Sequence, residues 1–286
     1  MANTVVYQEE WETRLQERLD HPTNWEDLLE VIYTDTQVIR RPYLSTNPAV
    51  QTSQTRGTAY TFQDFGTTSE AITISSFEIL PIFIDRADLA QSTYADQMYM
   101  AELQGQLIKE RLEAAFGGQH ASWTDHGTGS LAGGSGAASD TITVTANNID
   151  DIIRSVKRRI YAANGLNIAL RNGIGFEWRP ADYEYLEAFA QANGFQVADL
   201  ALKNGIPNAF HYFGVDNYIT NDNTANHLFA GVKKAGSVGI LSSTYGQVIK
   251  VDEPNIVSGV GLVARLDYAF AWWNNMDSLY YDVNVA

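Results

Sequence analysis

The sequence contains no cysteine, which removes disulfides, thiol catalysis and cysteine-ligated zinc together and fits synthesis in the cytosol. It is also short of positive charge: 19 Lys and Arg stand against 34 Asp and Glu, a formal net charge of -15 at pH 7. A protein that grips nucleic acid needs a Lys or Arg at each phosphate contact, so DNA nearby is repelled more than bound. No run approaches eighteen apolar residues, and the opening "MANTVVYQEEWETRLQERLD" is acidic where an export signal is basic and then apolar. The expectation is a soluble, unexported protein with no membrane partner. Catalytic signatures are missing too. "GTGSLAGGSGA" (127–137) has the composition of a phosphate cradle but lacks the Gly-Lys-Ser/Thr ending, and is expected to be a mobile surface loop. His120, Asp125 and His126 share that Gly-rich stretch at a spacing that matches no metal motif. The carboxylate neighbours Glu9/Glu10 and Asp150/Asp151 fall in arm or helix-start positions, where solvated or dipole-stabilised charges are the norm. Nothing assembles a nucleophile, a base and an orienting group. No catalytic, cofactor or metal residue is assigned, and an enzyme is not expected.

What the chain does have is bulk: 286 residues, 45% hydrophobic and 12% aromatic, enough for one elaborated domain or two modest ones. Its most informative stretch is "DRADLAQSTYADQMYMAELQGQLIKERLEAAFGG" (85–118). Small or apolar residues recur at Ala87, Ala90, Tyr94, Met98, Ala101, Gly105, Ile108, Leu112 and Phe116, close to the 3.6-residue period. Asp85 is placed to cap the start, and Gly117-Gly118 to end the helix with a left-handed residue. At about 1.5 Å per residue the helix would run to roughly 45 Å. A second apolar row, Leu89, Met100, Leu103 and Leu107, lies on roughly the opposite side. A helix that is apolar on two sides is expected to be covered on two sides. Gly105 sits inside the first stripe, which implies close approach of another backbone.

The flanking segments have different textures. Residues 1–41 read as an arm: an amphipathic start around Trp11 and Leu15, then "TNWEDLLEVIYTD" with Thr23 or Asn24 as cap and little to bury by itself. Residues 45–76, rich in Thr, Ser and Gln, read as a long β-hairpin loop. The burial of Val50, Tyr60, Phe62, Phe65, Ile72 and Ile74 returns less than ordering so long a loop costs, so the segment is either mobile or laid across a partner. After the Gly-rich stretch come a short strand "TITVTA" and a helix from about Asn148 to Ala163. That helix carries the basic cluster Arg154, Lys157, Arg158 and Arg159, expected to face solvent or a neighbour in accord with the helix dipole. "IGFEWRPADYEYLEAFAQANGF" follows as strand, helix and stop, with Pro180 in the first turn. In the mainly β C-terminal third, Leu262, Ala264, Leu266, Tyr268, Phe270 and Trp272 alternate as in a half-buried antiparallel strand.

This order of elements, with local texture such as "DRADLAQS" and "VKKAGSVGILSSTYGQV", resembles the major capsid protein of tailed bacteriophages, a fold also found in encapsulins and in the herpesvirus capsid floor. The resemblance covers nearly the whole chain and rests on no signature motif. It implies an α+β fold with an N-terminal arm (1–45), an extended β-hairpin E-loop (46–77), a peripheral domain with a long spine helix (78–146), an axial α/β domain (147–250) and closing strands (251–286) that return to both domains. It implies a structural protein that builds hexamers and pentamers of an icosahedral head around double-stranded DNA, a virion component made in the host cytoplasm. Its partners would be other copies of itself, the portal protein and separate scaffolding and decoration proteins. Intersubunit contacts would come from Arg56, Tyr60, Phe62 and Phe65 of the E-loop and from Trp11, Leu15 and Trp25 of the arm. The spine would pack through Tyr94, Met98, Gly105, Ile108 and Leu112. Because the chain begins at the arm, a fused internal scaffold is expected to be absent or already removed. Some relatives join subunits by an isopeptide bond from an E-loop lysine; residues 46–77 hold Arg56 but no lysine, so non-covalent shells are expected. An encapsulin-like compartment and an unrelated enzyme or binding module are the alternatives.

Overall fold

The computed structural model describes residues 12–16, 23–45, 56–57, 62, 66–85, 94–163, 165–192, 209–245, 248–251 and 259–286. A helical turn at 12–16 precedes α1 (Asn24–Leu28). Thr23 is the cap residue, its N–H donating to Glu26 Oε2 at 2.8 Å. β1 (Glu30–Thr34) leads into an antiparallel hairpin of β2 (Val38–Leu44) and β3 (Thr67–Thr73), with Val38 opposite Thr73 and Leu44 opposite Thr67. The hairpin thus begins within the segment expected to be arm, ahead of the expected boundary at residue 46. The charged pair Arg40-Arg41 and Pro42 inside "VIRRPYL" hid the strand from a hydrophobicity reading.

β4 (Ser76–Asp85) and the spine helix α2 (Tyr94–Gly117) come next. Asp85 is therefore the end of a strand, paired with Gly259, and not the helix cap that was expected. The described helix has 24 residues, about 36 Å. Its other end also departs from expectation: Gly117 is right-handed at φ -56, and the chain runs straight into a 3-10 turn, Gly118–Ser122. The glycine at 117 answers to packing, since a Cβ there would sit 2.7 Å from the Asp222 carbonyl oxygen.

The remaining elements are β5 (Thr124–His126), α3 (Ile149–Ala162), α4 (Leu166–Asn172), β6 (Ile174–Trp178), α5 (Pro180–Ala192), β7 (Ala209–Tyr212), β8 (Val215–Ile219), β9 (His227–Val232), β10 (Ser237–Leu241), β11 (Val248–Val251), β12 (Gly259–Ala271) and β13 (Tyr280–Asn284). They form two larger sheets. In the first, β12 pairs with β4, with β10 and with β11, and β1 joins in parallel to β10. The second has the order β5-β13-β9-β6-β8-β7. Leu262, Ala264, Leu266 and Tyr268 of β12 are buried as expected and Arg265 is exposed, but Asp267, Ala269 and Ala271 are buried too and Phe270 and Trp272 are only half-buried, so the period-two alternation fades toward the strand's end. β6 is buried at all five positions, as a strand covered on both faces must be.

Sheet membership cuts across the expected domain boundaries. β5 lies in the six-stranded sheet, outside the expected axial span of 147–250, while β10, inside that span, and β11, across its end, pair with β12 in the first sheet, the spine sheet. The Gly-rich stretch is a compact folded-back loop and not an open one. Thr128 N–H donates to Asp140 O and Gly129 N–H to Ala137 O, and a Cβ at Gly129 would fall 1.7 Å from the Gly136 carbonyl oxygen. Gly127, Gly129 and Gly134 serve close backbone approach. "TITVTA" contributes only a single bridge, Ile142 to Val285.

Candidate functional site

The spine helix presents two unlike faces. Ala101, Gly105, Ile108, Leu112 and Phe116, all members of the expected stripe, are buried against the first sheet and the core. Gln104 Nε2 donates to the Leu80 carbonyl at 2.5 Å and Arg111 lies 3.6 Å from Glu78, which holds the helix along β4. The side chains of Tyr94 and Met98 lie outside the described residues. On the other face Tyr99 is 64% exposed, and Met100, Leu103 and Leu107 are also exposed, Leu107 by 43%. Met100, Leu103 and Leu107 of the second apolar row are thus open to solvent in the single chain, and Leu89 lies outside the described residues.

β4 adds a second apolar surface. Glu78, Leu80 and Ile82 alternate toward the helix side, leaving Phe77, Ile79 and Phe83 exposed on the opposite face of the sheet. Exposed apolar residues grouped in this way, rather than scattered, are the signature of an interaction surface. The hairpin supplies a third projecting element, exposed at Val38 and Leu44. Its base is held down where Arg41 lies over the Trp273 ring at 5.3 Å. Of the E-loop residues expected to touch a neighbour, Arg56 is exposed in a turn and Phe62 is 97% exposed, while Tyr60 and Phe65 lie outside the described residues.

The arm differs from expectation. Leu15 is 1% exposed and Trp25 2%, both within this chain's own core, and Arg14 lies 3.8 Å from Glu102 of the spine. Side chains so deeply covered by their own chain offer no surface to a neighbour. Of the three expected arm contacts, Trp11 lies outside the described residues. α1 is tied inward as well, with Asn24 Nδ2 donating to Ile219 O and Asp27 Oδ2 accepting from Lys233 Nζ at 2.7 Å and from the Tyr218 hydroxyl.

Among the described residues the polar clusters are engaged within the chain. His126 and Ser155 make a buried pair at 2.9 Å, but Arg159 can only donate, so it fixes His126 Nδ1 as the acceptor and leaves the proton on Nε2. An imidazole in that tautomer cannot take a proton from serine. Burial, followed by Arg159 and Arg158, holds its pKa down at about 3. The basic cluster on α3 is consumed internally: Arg154 pairs with Asp150 and Asp151, Lys157 donates to Phe213 O, Arg158 to Ser130 O and Arg159 to Asp125 O. Glu177 is buried in β6 with neither carboxylate oxygen hydrogen-bonded among the described residues. Burial, then Glu113 and Asp222, pushes its pKa well above the carboxylate range. Of His120, Asp125 and His126, His126 turns away to Ser155 and Arg159, while Asp125 stays close enough for its charge to act on His120. His120 meets His227 and Asp282, a partnership no local spacing could have revealed.

No protein-family model matches the sequence, and no curated protein matches it. Solved structures do. A structure from Mycobacterium phage Che8 is 14% identical at TM-score 0.59, over 86% of this chain and 84% of the other. The bacteriophage PhiM1 mature capsid is 9% identical at TM-score 0.61, over 93% and 88%. The virus-like particle from Pyrococcus furiosus is 12% identical at TM-score 0.57, over 97% and 99%. This chain has the fold of those shell structures along nearly its whole length.

Proposed function

We propose that this chain, which carries the tailed-phage capsid fold, is a major capsid subunit that assembles into hexamers and pentamers of an icosahedral head. The observation that carries the reading is the pair of open apolar surfaces, Met100, Leu103 and Leu107 on the spine and Phe77, Ile79 and Phe83 on β4. Both lie on rigid elements, and a second copy of the chain can cover both. The hairpin and E-loop reach over a neighbour and gain in the shell the burial they lack alone. The charge of -15 suits a container that encloses double-stranded DNA without gripping it. A filled head also needs a portal at one vertex, and scaffolding and decoration proteins are the further partners of this reading.

Electron microscopy and sedimentation of the purified chain test it. Rings or closed shells are expected from the wild type. The double variant Leu103→Glu/Leu107→Glu is expected to keep the wild-type circular dichroism and melting curve while remaining a single chain. A wild type that stays monomeric at every concentration, or a double variant that assembles normally, would overturn the assignment. Nuclease-protected DNA in native particles separates a phage head from an encapsulin-like compartment.

A further inference from the structure

His120, His227 and Asp282 come together from three distant stretches of chain. His120 lies in the 3-10 turn that continues the spine helix, His227 opens β9, and Asp282 is the middle residue of β13. The imidazole rings stack with centroids 3.7 Å apart and planes 19° apart. Asp282 Oδ2 lies 2.7 Å from His227 Nδ1 and 3.8 Å from His120 Nδ1. One donor atom from each residue lies within 4.8 Å of the other two.

Two features of this cluster are unsatisfied by the protein itself. The Asp282 side chain is 3% exposed, yet its Oδ1 has no hydrogen-bond partner among the described residues. A buried carboxylate oxygen left bare is costly, and the register that sets Asp125 beside Asp282 adds a second negative charge. Burial accordingly raises the Asp282 pKa. The Nδ1 atoms of both histidines face the same Asp282 oxygen, so once deprotonated there the two imidazoles turn their lone pairs toward one small volume. A cation accepting those lone pairs relieves both problems.

We propose that His120, His227 and Asp282 form a binding site for a divalent transition ion of the zinc type. The donor set selects the class: two imidazole nitrogens with one carboxylate suit zinc, cobalt or nickel, whereas calcium and magnesium take oxygen shells. Bonds of about 2.0–2.2 Å in a tetrahedral complex set donors roughly 3.3–3.6 Å apart, and the present separations bracket that value. Small ring rotations complete the geometry. Each histidine side chain is 27% exposed, which leaves an entry path and an open position for water. The ion ties the turn beyond the spine helix to two adjacent strands of the six-stranded sheet, so it acts within one subunit and does not depend on how subunits assemble.

The test uses the full chain expressed without added histidines, stripped with chelator and titrated with Co2+ and then Zn2+. One Co2+ per chain is expected, with the visible absorption of a four- or five-coordinate site, displaced by Zn2+ and not by Mg2+. Zn2+ in excess is expected to raise the melting temperature. His120→Ala and Asp282→Asn are expected to weaken binding at least tenfold, and His211→Ala to leave it unchanged. If Asp282→Asn fails to fold, His120→Ala, altered in a part-exposed turn, carries the comparison alone. Absence of stoichiometric binding by the wild type, or undiminished binding by His120→Ala, would overturn the proposal.

Discussion

Two buried residues show how single side chains set the tolerance of this fold. Gly105 lies within the buried stripe of the spine helix, where alanine would raise helix propensity by about 1 kcal/mol. Gly105→Leu is expected to overpack the helix against its surroundings and cost roughly 1–3 kcal/mol in urea unfolding. A more stable, assembly-competent variant would show that the face has room. Glu177 makes a pH-dependent case. Its folded pKa is raised by burial, so between its ordinary value of 4.5 and the folded value the native state holds a proton that the unfolded chain has lost. Stability therefore falls as pH rises through that window. Glu177→Gln removes the linkage, and its advantage over wild type is expected to grow from pH 5 to pH 7 by up to about 1.4 kcal/mol per pH unit. Parallel unfolding curves at the two pH values would refute the assignment of Glu177 as a buried, neutral acid.

At the scale of elements, the hairpin separates folding from assembly. Ser45 N–H donates to Gly66 O at 2.8 Å, so the strands β2 and β3 close on each other before the intervening loop begins. Replacing residues 46–65 with a two-residue turn is expected to leave the melting temperature within a few degrees of wild type and to abolish shells in electron micrographs. Normal shells from the shortened chain would remove the loop from the intersubunit contacts. The elements legible in the sequence were those with one strong local period: the spine stripe from Ala101 to Phe116, the alternation of β12, and α5 opening at Pro180. Those it hid depend on partners. β2 carries two arginines and a proline, and β10 and β11 look like axial strands until their pairing with β12 is seen. Trp25 and Leu15 read as contacts to a neighbour because their own covering, the spine helix and the core, arrives far later in sequence. The glycines of 127–136 looked like freedom of movement, whereas Gly127, Gly129 and Gly134 each admit a backbone carbonyl at a distance no Cβ would permit.

For the whole molecule, the question is what holds subunits together once they meet. Lysines are absent from residues 46–77, and the nearest beyond, Lys109, is buried in the spine and lies 3.8 Å from Glu26. Arginine is too basic to serve as an amine nucleophile. Particles boiled in detergent without reductant are expected to give one band near 31.7 kDa, and a ladder of covalent oligomers would refute non-covalent closure. The pairing of β1 with β10, Glu30 opposite Ser237, and of β4 with β12, Ser76 opposite Tyr268, has a consequence in time. Neither larger sheet can close until its last strands have left the ribosome, because β12 is the hub of one and β13 an inner strand of the other. Long-range closure of this kind makes folding slow. It also means that a nascent chain has no finished spine sheet to offer a neighbour, so subunits translated side by side on one message cannot associate through it until β12 has emerged.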